Sequence, residues 1–106
     1  MHDETWSKAE KDIARRAFDQ ALSRELAALA DEVRLRANAI TEPRHIWSLN
    51  DFLTRRRREI DHKYDYRYSQ LIFVFARLIN DGWLKEVELA GLAEDKLAKI
   101  GFMLEK

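Results

Sequence analysis

The sequence predicts an all-α protein: two long antiparallel helices forming an extended stem, and two short C-terminal helices forming a small head. Three observations carry this. Breakers are scarce, with 3 Gly and 1 Pro in 106 residues. Charged residues make up 36% of the chain, with 19 Lys and Arg against 19 Asp and Glu. Balanced charge at that density marks a surface laced with ion pairs rather than a polyanion binder. Finally, apolar residues recur in steps of three and four over long stretches.

The length fits a single helical domain over residues 1–106. Without Cys there is neither a disulfide framework nor a thiolate metal site. No run approaches the ~20 apolar residues of a membrane helix, and the opening MHDETWSKAEKD is too acidic and polar for a signal peptide. A soluble cytoplasmic protein is expected.

The first helix is expected over about 7–41. Ser7-Lys8-Ala9-Glu10 is a capping box, with Ser7 and Glu10 each satisfying the other's amide. Ile13, Ala14, Ala17, Phe18, Ala21, Leu22, Leu26, Leu29, Val33, Ala37 and Ile40 trace one face. The opposite face is charged and suggests no chemistry. Pro43 ends this helix and suits the first turn of the next.

The second helix is expected over about 44–81, stopped by a left-handed Gly82. Its seam would be Ile46, Leu49, Leu53, Ile60, Tyr64, Leu71, Phe75 and Leu78. The block LIFVFA at 71–76 is apolar all round and should be buried all round, with Phe73 and Phe75 in the core. Short head helices over 83–91 and 92–104 would fold back on it, with Leu92, Leu97, Ile100 and Met103 inward. Helices of ~33 and ~37 residues are ~50 and ~55 Å long, whereas a globule of this chain length is only ~33 Å across. The protomer is therefore expected to be elongated, and its thin stem should recruit a second copy as a homodimer.

Arg55-Arg56-Arg57-Arg58 is the most conspicuous feature. Successive helix positions lie ~100° apart, so the four arginines form no stripe, and Asp51–Arg55 and Glu59–Lys63 are well-spaced ion pairs. No nucleic-acid surface is indicated. Arg57 lies in line with Asn50 and Tyr64, beside the apolar seam, where a polar residue can set register. Trp47 and Asp51 fall on another face as a presented patch, which is either an interface hot spot or a cover for the other helix. The run Asp61-x-Lys63-x-Asp65 is no calcium loop, because Tyr66 stands where Gly is required. His2, His45 and His62 show no ligand spacing. No nucleophile motif or phosphate loop is present, so no enzyme, cofactor or small-molecule substrate is expected.

Several motifs resemble the cyanobacterial fluorescence recovery protein family. They are W-x-L-x-D-F-L at 47–53, R-x-E-I-D-x-K-Y-D at 57–65, I-F-V-F-A at 72–76, Gly82, Glu88-Leu89, and Asp95-Lys96 with Lys99-Ile100. Upstream, Trp6-Ser7-x-Ala9-Glu10 and Arg24-Glu25-Leu26 also fit. The resemblance implies a helical dimer without enzymatic activity or a cofactor of its own. It implies binding to the photoactivated orange carotenoid protein, mainly its C-terminal domain. The outcome would be a faster return to the orange form and detachment from the phycobilisome, in the cytoplasm or at the periphery of thylakoid membranes. The central patch of the family maps onto Trp47, Asp51 and Arg57, and head positions in partner contact map onto Phe73 and Lys99. Asn50 stands where the best-known member has His; Asn hydrogen-bonds but cannot charge. Composition and spacing alone leave open a dimeric helical adaptor for a different partner.

Overall fold

A computed structural model describes residues 5–105. Helix α1 runs Lys8–Asn38, α2 Pro43–Lys63, α3 Leu71–Asn80 and α4 Glu94–Phe102, with one 3-10 turn at Glu86–Leu89. No strand occurs among the described residues. The protomer measures 54 × 27 × 27 Å, elongated as expected.

Helix α1 begins at the expected box. The Glu10 amide donates to Ser7 Oγ at 3.1 Å, and the Ser7 amide donates to Glu10 Oε1 at 3.0 Å. It ends three residues earlier than expected, and a tight connection leads to Pro43 at the first turn of α2. His45 organises that connection: its Nδ1 accepts from the amides of Thr41 at 3.1 Å and Glu42 at 3.3 Å.

The continuous helix expected over 44–81 is not formed. It stops at Lys63, Tyr64 takes φ −89° and ψ 74°, and helix resumes only at Leu71. The cause is legible in the residues. Tyr64, Tyr66 and Tyr68 alternate with Asp65 and Arg67, a period of two that an extended chain splits between its faces. The rings pack on α1 and the residues leading into it: Phe18 meets Tyr64 edge-on at 5.4 Å and Tyr66 at 4.9 Å, and Trp6, just before the cap, lies 5.7 Å from Tyr68. On the outer side Arg67 Nη2 pairs with Asp65 Oδ2 at 2.6 Å. Two aromatic contacts on Phe18 of α1 and one on Trp6 just before it outweigh the weak helical propensity of a Tyr-rich segment.

The head is therefore not an appendage of α2. Its core joins Trp6 and the first half of α1 (Ala14, Ala17, Phe18 and Ala21) to Leu71, Phe75, Leu78, Leu84, Leu89 and Ile100. Small residues on α1 let α3 come close. Phe75 is fully buried, but Phe73 is 59% exposed, so the LIFVFA block has an outward face. The expected helix over 83–91 shrinks to the 3-10 turn, because Leu84 and Leu89, five residues apart, are both buried. Residues five apart do not share a helical face. Gly82 stops α3 at φ +89°. Leu92 and Ile100 are buried, while Leu97 and Met103 are half-buried against the core.

Candidate functional site

Three places hold the residues of interest: the outer face of the stem, the junction of stem and head, and a groove on the head.

Within the stem, α2 turns only part of the expected seam toward α1: Leu49 and Ile60 face in, Ile46 and Leu53 do not. Phe52, Ile60 and Lys63 are its buried residues, while Ile46 is 49% and Leu53 36% exposed. The inward column is His45, Leu49, Phe52, Arg56, Ile60 and Lys63, at steps of four and three. Arg36 of α1 stacks on the Phe52 ring at 3.7 Å. The column of Ile46, Asn50, Leu53 and Arg57 faces out. Leu53 and Arg57, with Leu22, Leu26, Leu29, Ile60 and Asp61, line an open apolar groove of about 430 Å³ between the helices. Arg57 is 84% exposed and reaches Asp61 at 3.7 Å, so within the protomer it fills no seam. Trp47, 66% exposed, and Asp51 also point outward, so Trp47 does not cover α1.

The junction holds a group that sequence reasoning missed. Glu25 of α1 is 1% exposed. Its Oε1 accepts from Tyr64 Oη at 2.9 Å and faces Lys63 Nζ at 2.8 Å; its Oε2 accepts from Arg56 Nη2 at 3.2 Å. Lys63 Nζ also reaches Asp81 Oδ2, beyond α3, at 3.2 Å. Burial would raise the Glu25 carboxyl, but hydrogen bonds from Lys63 and Tyr64 prevail and hold it below the usual carboxylate range. Burial and the adjacent carboxylate push the Tyr64 phenol up, so it stays a donor. Two expectations are corrected here. Lys63 pairs with Glu25 and Asp81, while Glu59 takes Arg56 at 2.8 Å. Tyr64 leaves the helix and turns inward rather than continuing the line of Asn50 and Arg57. The seven-residue spacing of Arg56 and Lys63 is a signal that could have put both on one face of α2; Glu25 stood out only within the Arg24-Glu25-Leu26 motif.

Two further clips fasten the head to α1. Arg24 grips Glu88 through two 2.7 Å bonds and donates to the Trp83 carbonyl at 3.1 Å. Glu88 is thereby held down to about 2. Glu10 Oε2 accepts from the Ala93 amide at 2.9 Å and lies 3.2 Å from Lys96 Nζ. Amide hydrogen bonds from Ser7 and Ala93 foremost hold Glu10 at about 2.

On the head, Ile72, Phe73, Ala98, Lys99, Phe102 and Met103 line an open groove of about 390 Å³. Phe73 and Lys99 thus share one surface. Phe102, 92% exposed at its edge, was not singled out from sequence. His62 is exposed on α2, and His2 lies outside the described residues. Among the described residues no cluster of His, Asp or Glu could hold a metal ion, and no helix is long and apolar enough to cross a membrane.

An elongated helical protein with open apolar grooves on stem and head fits the class of proteins that dock onto other proteins. The chain belongs to the fluorescence recovery protein family, matching the family described as photoprotection regulator fluorescence recovery protein over residues 6–104. It is 46% identical over 95 residues to the fluorescence recovery protein of Synechocystis sp., covering 90% of this chain and 87% of that protein. Its fold matches the solved structure of the Fremyella diplosiphon protein with TM-score 0.88 at 52% identity, covering 93% of this chain and 97% of that one. The solved Synechocystis structure matches with TM-score 0.88 at 44% identity and the same coverage. The chain is thus a photoprotection regulator by family.

Proposed function

We propose that two copies pair through the outer face of the stem, and that the dimer binds a photoactivated orange carotenoid protein, mainly at its C-terminal domain. It accelerates return to the orange form and aids detachment from phycobilisomes, which restores antenna fluorescence. The observation that carries this reading is the head groove, which brings Phe73 and Lys99, far apart in sequence, onto one open apolar surface. Those are the positions at which the family resemblance places partner contact. The stem half is supported by the apolar groove around Leu26 and Leu53, which a second copy would cover. Trp47, Asp51 and Arg57 would belong to that interface or its rim.

Such a protein supplies no covalent chemistry. It would bind the partner's closing transition state more tightly than its open state. Holding two separated domains near one another turns a diffusive search into a short one. The cytoplasm, at the periphery of thylakoid membranes, is the place where this partner would be met.

The test is to mix the purified protein with photoactivated orange carotenoid protein and follow the red-to-orange decay in the dark. Acceleration that saturates with added protein is expected. A decay rate unchanged at excess protein overturns the reading.

A further inference from the structure

We propose that Glu25 is a positioning residue: it fixes the lengthwise register and roll of α2 on α1, and so the placement of the outward stem face relative to the head groove.

The apolar grip of α2 on its own protomer is thin. Phe52 and Ile60 are its only buried apolar residues. Two side chains of that kind resist separation but not sliding, because apolar contact is non-directional. At its lower end the Tyr64 and Tyr66 rings meet Phe18 of α1, contacts that keep the extended segment close without specifying a register for α2. The head, by contrast, is fixed to α1 by a shared core and by the Glu10–Lys96 and Arg24–Glu88 clips.

Glu25 fills that gap. One buried carboxylate takes Arg56 and Lys63 of α2 and Tyr64 of the extended segment, all within 3.2 Å. Arg56 and Lys63 lie two turns apart on the inward column, so both reach Glu25 in one register and roll only. A slip by one turn would bury an ammonium and a carboxylate unpaired, which is costly in a dry site. The surrounding charges close the account: Glu59 faces Arg56, and Asp81 faces both Lys63 and Arg77. A buried polar group that sets helix register is the best-attested use of such a group. Its effect on partner action rests on the function proposed above; its effect on geometry does not.

The chain has no Cys, so spin labels can be placed at Thr54→Cys on α2 and Asp95→Cys on the head, both exposed. Labelled chains are diluted with unlabelled ones so that pairs within a protomer dominate. The parent should give one narrow distance distribution. Glu25→Gln with Lys63→Met removes both charges while Gln still accepts from Tyr64. Far-UV circular dichroism should be retained, with a broadened distribution or a second population displaced by about 5 Å, one helical turn. Glu25→Gln with Lys63→Leu, which also leaves no unpaired charge at the site, is read in the same way and decides the matter if the Met variant does not fold. Distributions identical to the parent's overturn the proposal.

With photoactivated orange carotenoid protein, the saturating recovery rate should fall about tenfold while the half-saturating concentration changes little, as misplacement of docked parts predicts. If the distances respond but the parent protein accelerates nothing, the functional reading falls and the positioning role stands. If the parent accelerates recovery and the distances do not respond, the positioning role falls alone.

Discussion

The ammonium of Lys63 stands 2.8 Å from Oε1 of Glu25, 38 residues earlier, with side chains only 6% and 1% exposed. That pair joins the last residue of α2 to the middle of α1, at the place where the chain leaves the stem for the head. Its energetics differ from those of the surface pairs that fill this sequence. Exposed pairs such as Arg34–Asp31 contribute little. A buried pair contributes little net stability as well, yet breaking it is expensive.

The first prediction follows from that asymmetry. Glu25→Gln or Lys63→Met alone should cost about 1.5–3 kcal/mol, because a desolvated charge loses its nearest partner and keeps only Asp81 in the first case, Arg56 and Tyr64 in the second. The double variant should lie within about 1 kcal/mol of the parent or above it. Urea unfolding at fixed protein concentration measures all three. Additive costs would show that the two groups do not act as a pair.

Acid should weaken the attachment of the head. Glu10 and Glu88 are held at about 2 in the folded chain, well below the ordinary carboxylate value. A depressed folded pKa contributes stability that is present above the unfolded pKa and is lost as pH falls toward the folded one. Stability should thus be level above about pH 5 and decline toward about pH 2, with Glu25 adding in the same direction. Glu10→Gln should lower stability at neutral pH and flatten this decline, so that the two curves converge in acid. Denaturant midpoints across the pH range test this; parallel curves would contradict it.

The outward stem column makes its own prediction. Leu53 borders the groove that a second copy would cover, and it is 36% exposed in the protomer. Leu53→Glu should give a monomer by sedimentation equilibrium, because the paired state would bury two uncompensated carboxylates. Since Leu53 lies outside the buried core, helicity should persist. Arg57→Leu should change the dimerisation constant as well. A dimer unaffected by both substitutions would place the interface elsewhere.

The limits of the sequence reading can be traced to particular residues. The capping box at Ser7, Pro43 at the start of α2 and Gly82 at the end of α3 are local signals, and each was legible. The break over residues 64–70 was passed over because apolar periodicity resumes beyond it in phase with a helix. The alternation of Tyr64, Tyr66 and Tyr68 with charged residues was the competing signal. Leu53 and Phe52 are neighbours of similar hydrophobicity, and periodicity could not say which faced α1. The choice is made by Glu25, whose partners lie up to 39 residues away. An open groove such as the one around Phe73 and Phe102 depends on how α3 and α4 meet, which no pattern along one helix specifies.

The loop before α4 offers the last test. Gly91 has φ +105°, and a Cβ built on it would stand 2.6 Å from Cδ1 of Ile13 on α1. Gly82 has φ +89° with nothing within 4 Å of the corresponding position. Alanine at either site meets the backbone penalty of the left-handed region, about 1–2 kcal/mol. Only Gly91→Ala must also displace the Cδ1 methyl at the end of the Ile13 side chain, which adds about 0.5–1.5 kcal/mol. The difference between the two variants in urea unfolding therefore isolates the close approach of the head loop to α1. Ile13→Val removes Cδ1, so in the Gly91→Ala background it should cost less than in the parent chain. Equal costs for the two glycines would show that the loop yields freely and does not press on α1.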